Sequence, residues 1–190
     1  MKFLLASLLL LLLVKIAKSA NYDSANFEFN HETASAEETP ITSSKIFLST
    51  HTVNLLNRQI NVEQSAAYSY LFLSSHFKNQ GRNKLATQFK AWSDEETQHA
   101  NELADYLILR RGNLVYHKIN EPRFLEAQLT VNGALKFVLD KEVEVYESIL
   151  NVHNMSNDPS MEDFLVPFLN EGIESVRKAH DLVQEYNRIG

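Results

Sequence analysis

Cysteine is absent from the 190-residue chain. Disulfides, cysteine-ligated zinc and iron–sulfur clusters are excluded with it, so stability has to come from packing. Glycine is scarce at five and proline scarcer at four. Gly81, Gly112, Pro122 and Pro159 therefore stand out as punctuation between long regular stretches. A surplus of cations is missing as well: 18 Lys and Arg face 24 Asp and Glu, a formal charge of −6. Binding to nucleic acid needs clustered cations, so none is expected as a partner, whereas an acidic chain suits metal cations.

Long hydrophobic runs number one, Phe3 to Val14. It is shorter than a comfortable bilayer span and has the length of a signal-peptide core. Ala17-Lys18-Ser19 follows, with small residues where a signal peptidase reads. The expectation is a signal peptide over 1–19, cleaved near Ser19 or Ala20, and a protein secreted or held in the secretory-pathway lumen. No membrane contact is expected after cleavage. Loss of Lys2, Lys15 and Lys18 makes the mature chain three units more negative. Residues 20–48 are rich in Asn, Ser, Thr, Ala and Glu and read as a mobile arm.

From residue 49 to 190 the apolar residues recur every three and four positions, the spacing of one helix face. The first stripe, over about 50–78, is Leu56, Ile60, Glu63, Ala67, Tyr70, Ser74 and Phe77. The second, over 83–110, is Leu85, Phe89, Trp92, Glu96, His99, Leu103 and Tyr106. The third, over 126–154, is Leu135, Val138, Glu142, Val145, Ile149 and Val152. The fourth, over 160–187, is Leu165, Leu169, Gly172, Val176, Ala179 and Val183. Short links at Asn79–Asn83 and Ser156–Pro159 make antiparallel hairpins. The longer link from Arg111 to Arg123 is able to run back along the bundle. The fold class is all-α: an antiparallel four-helix bundle with one long crossover between helices two and three.

Glu63, Glu96, His99 and Glu142 occupy stripe positions where a plain core calls for apolar side chains. Buried, unpaired carboxylates cost several kcal/mol each by rough measure, and three of them repel one another. A cation relieves both problems, and carboxylates with one imidazole suit iron, zinc or manganese. Glu96 and His99 stand one turn apart, the Glu-x-x-His spacing of carboxylate-bridged metal bundles. Taken alone, such a pair is common on solvated helices. Its weight comes from acidic residues interrupting three stripes near mid-helix. His180 and the remaining histidines show no ligand spacing.

Asn57-Arg58-Gln59-Ile60-Asn61-Val62-Glu63 with Tyr68-Ser69-Tyr70-Leu71 resembles the first helix of animal ferritins. Ser93-Asp94-Glu95-Glu96-Thr97-Gln98-His99-Ala100 resembles their second helix, and Phe168-Leu169-Asn170-Glu171 their fourth. The resemblance covers about residues 50 to 190 and implies the ferroxidase centre of the heavy-chain kind. It assigns Glu63, Glu96 and His99 to a first iron and Glu96 and Glu142 to a second. Tyr70 then stands beside the pair and Glu95 is a nearby acid. Asp140 is the alternative to Glu142, because the third helix matches least. Asp163 matches one acidic ring of the family's threefold channel, where Val166 and Pro167 replace the other. Gly172 stands where catalytic subunits of the family usually carry glutamine. Pro167 is expected to kink the fourth helix or delay its start. The family's short fifth helix, which follows this region, is expected to be absent. The resemblance implies a homo-oligomer, or a shell of twenty-four mixed with other ferritin subunits, which the missing helix puts in question. Asn154-Met155-Ser156 is an N-glycosylation sequon in the third-to-fourth turn.

Three functions follow. The first is an iron-storing ferroxidase that takes two irons per centre. The second is a non-catalytic subunit that binds and stores iron, which Gly172 favours. The third is a metal-free bundle with an internally paired polar core.

Overall fold

A computed structural model describes residues 46–189. The expected signal peptide and all but the last three residues of the expected N-terminal arm lie outside the described residues.

Four long helices form the bundle: α1 Thr50–Asn79, α2 Asn83–Leu109, α3 Val131–Met155 and α4 Pro159–Ile189. α1 packs against α2, α3 against α4, and α1 against α3. The Ser49 hydroxyl opens α1 by accepting from the Thr52 N–H at 3.1 Å. α1 closes on Gly81 at φ +73°, with the Arg82 N–H reaching the Phe77 carbonyl at 2.9 Å and the Gly81 N–H that of Lys78 at 3.0 Å. That left-handed residue reverses the chain within one turn. α2 ends in the same way, but the left-handed residue is Arg111 (φ 59°) rather than Gly112. Gly112 is needed for space, because a Cβ there would lie 2.9 Å from Leu107 Cγ.

α3 begins at Val131, later than the periodicity suggests, because Glu126–Leu129 forms a separate 3-10 turn. Thr130 then caps α3 by accepting from the Gly133 N–H at 3.1 Å. Asp158 caps α4 through the N–H groups of Ser160 and Met161, and Pro159 takes the first helical position, where no N–H is missed. Pro167 does not delay the start of α4, since the helix runs continuously through it. The buried line of α4 is also offset from the expected stripe: Phe168 and Ser175 face inward, while Leu169 and Val176 are only half-buried.

The crossover lies along α1, held by two asparagines. Asn57 is buried; its amide donates to the Asn113 carbonyl at 2.9 Å, and its oxygen accepts from the Val115 N–H at 2.7 Å. Further along, Phe124 stacks on Phe72 at 5.0 Å and meets Phe137 edge-on at 4.7 Å. Asn61, one turn on from Asn57, donates to the His117 and Lys118 carbonyls at 3.4 and 3.5 Å, so two asparagines on one helix face give the extended segment partners it would otherwise seek in a strand.

Ile46 to Leu48, the end of the expected arm, are tied to the bundle. The Arg110 guanidinium donates to the Ile46 carbonyl at 2.6 Å and to Asp158 at 2.5 Å, and it also bonds the Tyr106 hydroxyl. Arg110 thereby joins the chain before α1, the end of α2 and the cap of α4. Arg110→Met is expected to cost about 3 kcal/mol, because it strands a largely buried carboxylate. Urea unfolding followed by circular dichroism checks this.

Candidate metal centre

The polar residues of the bundle interior lie between two apolar clusters. One contains Leu56, Ile60, Leu103, Leu107, Ile149 and Leu165. The other contains Tyr70, Leu73, Phe77, Phe89, Trp92 and Val138. Along α1 the order is Leu56, Ile60, Glu63, Ala66, Tyr70, so Glu63 falls at the junction. Glu96 on α2 falls at the same junction, between Trp92 and Ala100, whereas Glu142 on α3 lies beside the second cluster, between Val138 and Val145. All three carboxylates are buried, Glu63 at 1 % exposure and Glu96 and Glu142 at 3 % each. Glu142 is the residue that turns inward, while Asp140, Glu144 and Glu147 are exposed, which fixes the register of α3.

Glu63, Glu96 and His99 each bring a ligand atom within 4.8 Å of the others. Glu142 is outside that group. The Tyr70 hydroxyl donates to Glu142 Oε1 at 2.7 Å. His99 is held on both sides: Nδ1 lies 3.3 Å from Glu96 Oε2 and Nε2 lies 3.2 Å from Glu171 Oε2. The Phe168 ring meets the imidazole edge-on at 5.5 Å. Glu95 is half-buried behind the site, and Asp163 is exposed on the first turns of α4 and takes no part in it. Gly172 contributes no side chain. A Cβ there would stand 3.0 Å from Tyr146 Cδ2, so a glutamine would have to displace that ring.

The charges are poorly accommodated without a cation. Burial pushes the Glu63 carboxyl well up, and the neighbouring Glu96 adds to it. Burial and then Glu96 push Glu142 up to about 8, against the opposing Tyr70 bond. Burial alone would lower His99, but Glu96 and Glu171 overcome it and bring the imidazole to about 9. Burial raises Tyr70 well above its usual value, so it stays a donor. Among the described residues, three buried side-chain atoms have no hydrogen-bond partner: Glu63 Oε2, Trp92 Nε1 and Asn132 Oδ1. Only the first is a carboxylate oxygen that faces other potential metal ligands. An oxygen-rich set with one imidazole and no sulfur fits a divalent first-row cation such as ferrous iron.

Three participants escape the stripes. Gln59 donates to Glu63 Oε1 at 2.7 Å, and Ser148 donates to Gln59 Oε1 at 2.5 Å. Gln59 precedes Glu63 by four residues, the spacing of helix-face neighbours, so it was findable. Ser148 and Glu171 carry no such signal, because their roles depend on how α3 and α4 are rotated.

Fold and site together define a four-helix bundle with a buried cluster of carboxylates and one histidine. The profile of one family, described as a ferritin-like domain, matches residues 53–189. The chain belongs to the ferritin family. It is 38 % identical over 144 residues to the ferritin, chloroplastic, of Malus baccata var. xiaojinensis, an alignment covering 71 % of this chain and 58 % of that one. It is 34 % identical over 143 residues to the ferritin-2 heavy chain of Schistosoma mansoni, covering 72 % and 83 %. With the soma ferritin of Lymnaea stagnalis the identity is 33 % over 144 residues, covering 71 % and 80 %. The chain thus spans less than two thirds of the plant relative but most of the two animal ones.

Proposed function

We propose that this protein binds ferrous iron at Glu63, Glu96 and His99, oxidises it with dioxygen and stores the ferric product. The observation that carries the reading is the orphaned Glu63 Oε2 within a buried cluster of Glu63, Glu96 and His99, whose charge has to be met by protons or by a metal cation. A second ion would lie between Glu96 and Glu142, with Glu96 shared. Each ferrous ion would give up one electron, so a pair would deliver two to dioxygen, which with two protons from solvent leaves as hydrogen peroxide. The chain's own part is to hold the ligands and keep water out. Glu171 holds His99, Tyr70 holds Glu142, and the two apolar clusters close the site above and below. Storage implies assembly, and the names of the relatives support a ferritin oligomer; a monodisperse dimer by light scattering would remove the shell.

Anaerobic titration with ferrous iron, followed by admission of oxygen, tests the reading. The expected result is two irons bound per chain and oxygen uptake in proportion. A second reading, iron binding without catalysis, draws on Gly172 and on the tie between Glu142 and Tyr70, which leave the second position poorly furnished. One iron per chain with no oxygen uptake would favour it.

A further inference from the structure

Gln59 is a neutral amide with no exposure, placed in a core whose neighbours are aliphatic or anionic. A leucine would fill the position without needing partners. The amide has instead a fixed orientation. The Ser148 hydroxyl, arriving from α3, donates to its oxygen at 2.5 Å, which turns its nitrogen toward Glu63 Oε1 at 2.7 Å. That bond occupies one carboxylate oxygen of Glu63 and leaves Oε2 as the oxygen without a protein donor. The two hydrogen bonds run in one direction, hydroxyl to amide to carboxylate, across the α1–α3 contact.

We propose that Ser148 and Gln59 form a positioning relay that commits Glu63 Oε1 to the protein and presents Oε2 to the metal. The inference rests on the metal-binding reading above. Neither residue touches the metal. They set the rotamer of the one ligand that α1 supplies, as groups behind a metal site generally do. The relay also removes the choice between the two carboxylate oxygens before any ion arrives, so Glu63 binds through a single oxygen. A Ser148 without its hydroxyl would let the amide rotate and present its oxygen to Glu63, acceptor against acceptor.

Cobalt(II) alone is the probe, because its visible absorption reports coordination and it needs no oxygen. Titration of the full-length protein is expected to show a first-site band. Ser148→Ala and Gln59→Leu are each expected to weaken that site by about 10- to 100-fold and to alter the band. Ser148→Thr, which keeps the hydroxyl, is expected to restore both. Melting temperatures of the metal-free variants separate positioning from packing: the expected result is a melting temperature within a few degrees of wild type for Ser148→Ala. If Ser148→Ala and Gln59→Leu bind cobalt with the wild-type affinity and spectrum, the relay is wrong and the metal site stands. The relay is equally wrong if Ser148→Thr binds as poorly as Ser148→Ala, or if the affinity falls only in step with the melting temperature. If wild type binds no cobalt and Glu63→Gln changes nothing, the metal reading itself is lost.

Discussion

Glu96→Ala is expected to slow ferrous oxidation by about two to three orders of magnitude, the scale set by several kcal/mol of lost charge stabilisation. Glu96 acts on every other group of the proposed centre. It raises Glu63 and Glu142 by its charge, and its Oε2 lies 3.3 Å from His99 Nδ1. Its removal therefore takes a ligand from both proposed ions. His99→Ala removes a ligand from one, so a smaller loss, about 10- to 100-fold, is expected. Both variants should stay folded, because each deletes a group that is costly to bury rather than an apolar contact. Stopped-flow absorbance of ferric product, with circular dichroism as the folding control, makes the measurement. Folded variants that oxidise iron at the wild-type rate would leave this cluster without a catalytic role.

The four helices were legible because burial writes a three-and-four pattern and because glycine and proline are scarce enough to mark the turns. Every residue of the α1 and α3 stripes is buried in the structure. The burial of the three carboxylates was legible for the same reason, since a carboxylate interrupting an apolar stripe has no cheap explanation. α4 was read less well. Its inward line passes from Leu165 through Phe168 and Ser175 to Ala179, and polar Ser175 and glycine at 172 blur the periodicity. The contacts behind the ligands were not legible. Glu171 reaches His99 only because α4 is rotated as it is, and Gly172 looks like a missing ligand until Tyr146 is seen against it. Arg111 shows the limit of residue-type signals: the left-handed position at the end of α2 is held by arginine, one residue before the glycine that the sequence offers.

The metal-free protein is expected to lose stability as pH rises from about 5 to 9, opposite to the usual behaviour of a salt-bridged acidic domain. Glu142 holds its proton more tightly folded, at about 8, than at its ordinary 4.5. Its contribution is therefore full below 4.5 and is lost as pH rises through about 8. His99 acts in the same direction: its contribution is full below 6.5 and is lost through about 9. Glu63, raised well above its usual value, adds to the loss. At roughly 1.4 kcal/mol per unit of pKa change, each shift is worth several kcal/mol on the order-of-magnitude scale, and the effects overlap rather than add because the groups share the same charges. A bound divalent cation reverses the sign, because it takes ionised carboxylates and neutral imidazole and so competes with protons. Urea midpoints measured from pH 5 to 9, with chelator and with saturating zinc(II), should therefore diverge as pH rises. Glu142→Gln should flatten the metal-free curve between pH 5 and 8 and leave the His99 portion in place. A metal-free midpoint that stays level or climbs across this range would mean that the three acids do not share one buried space.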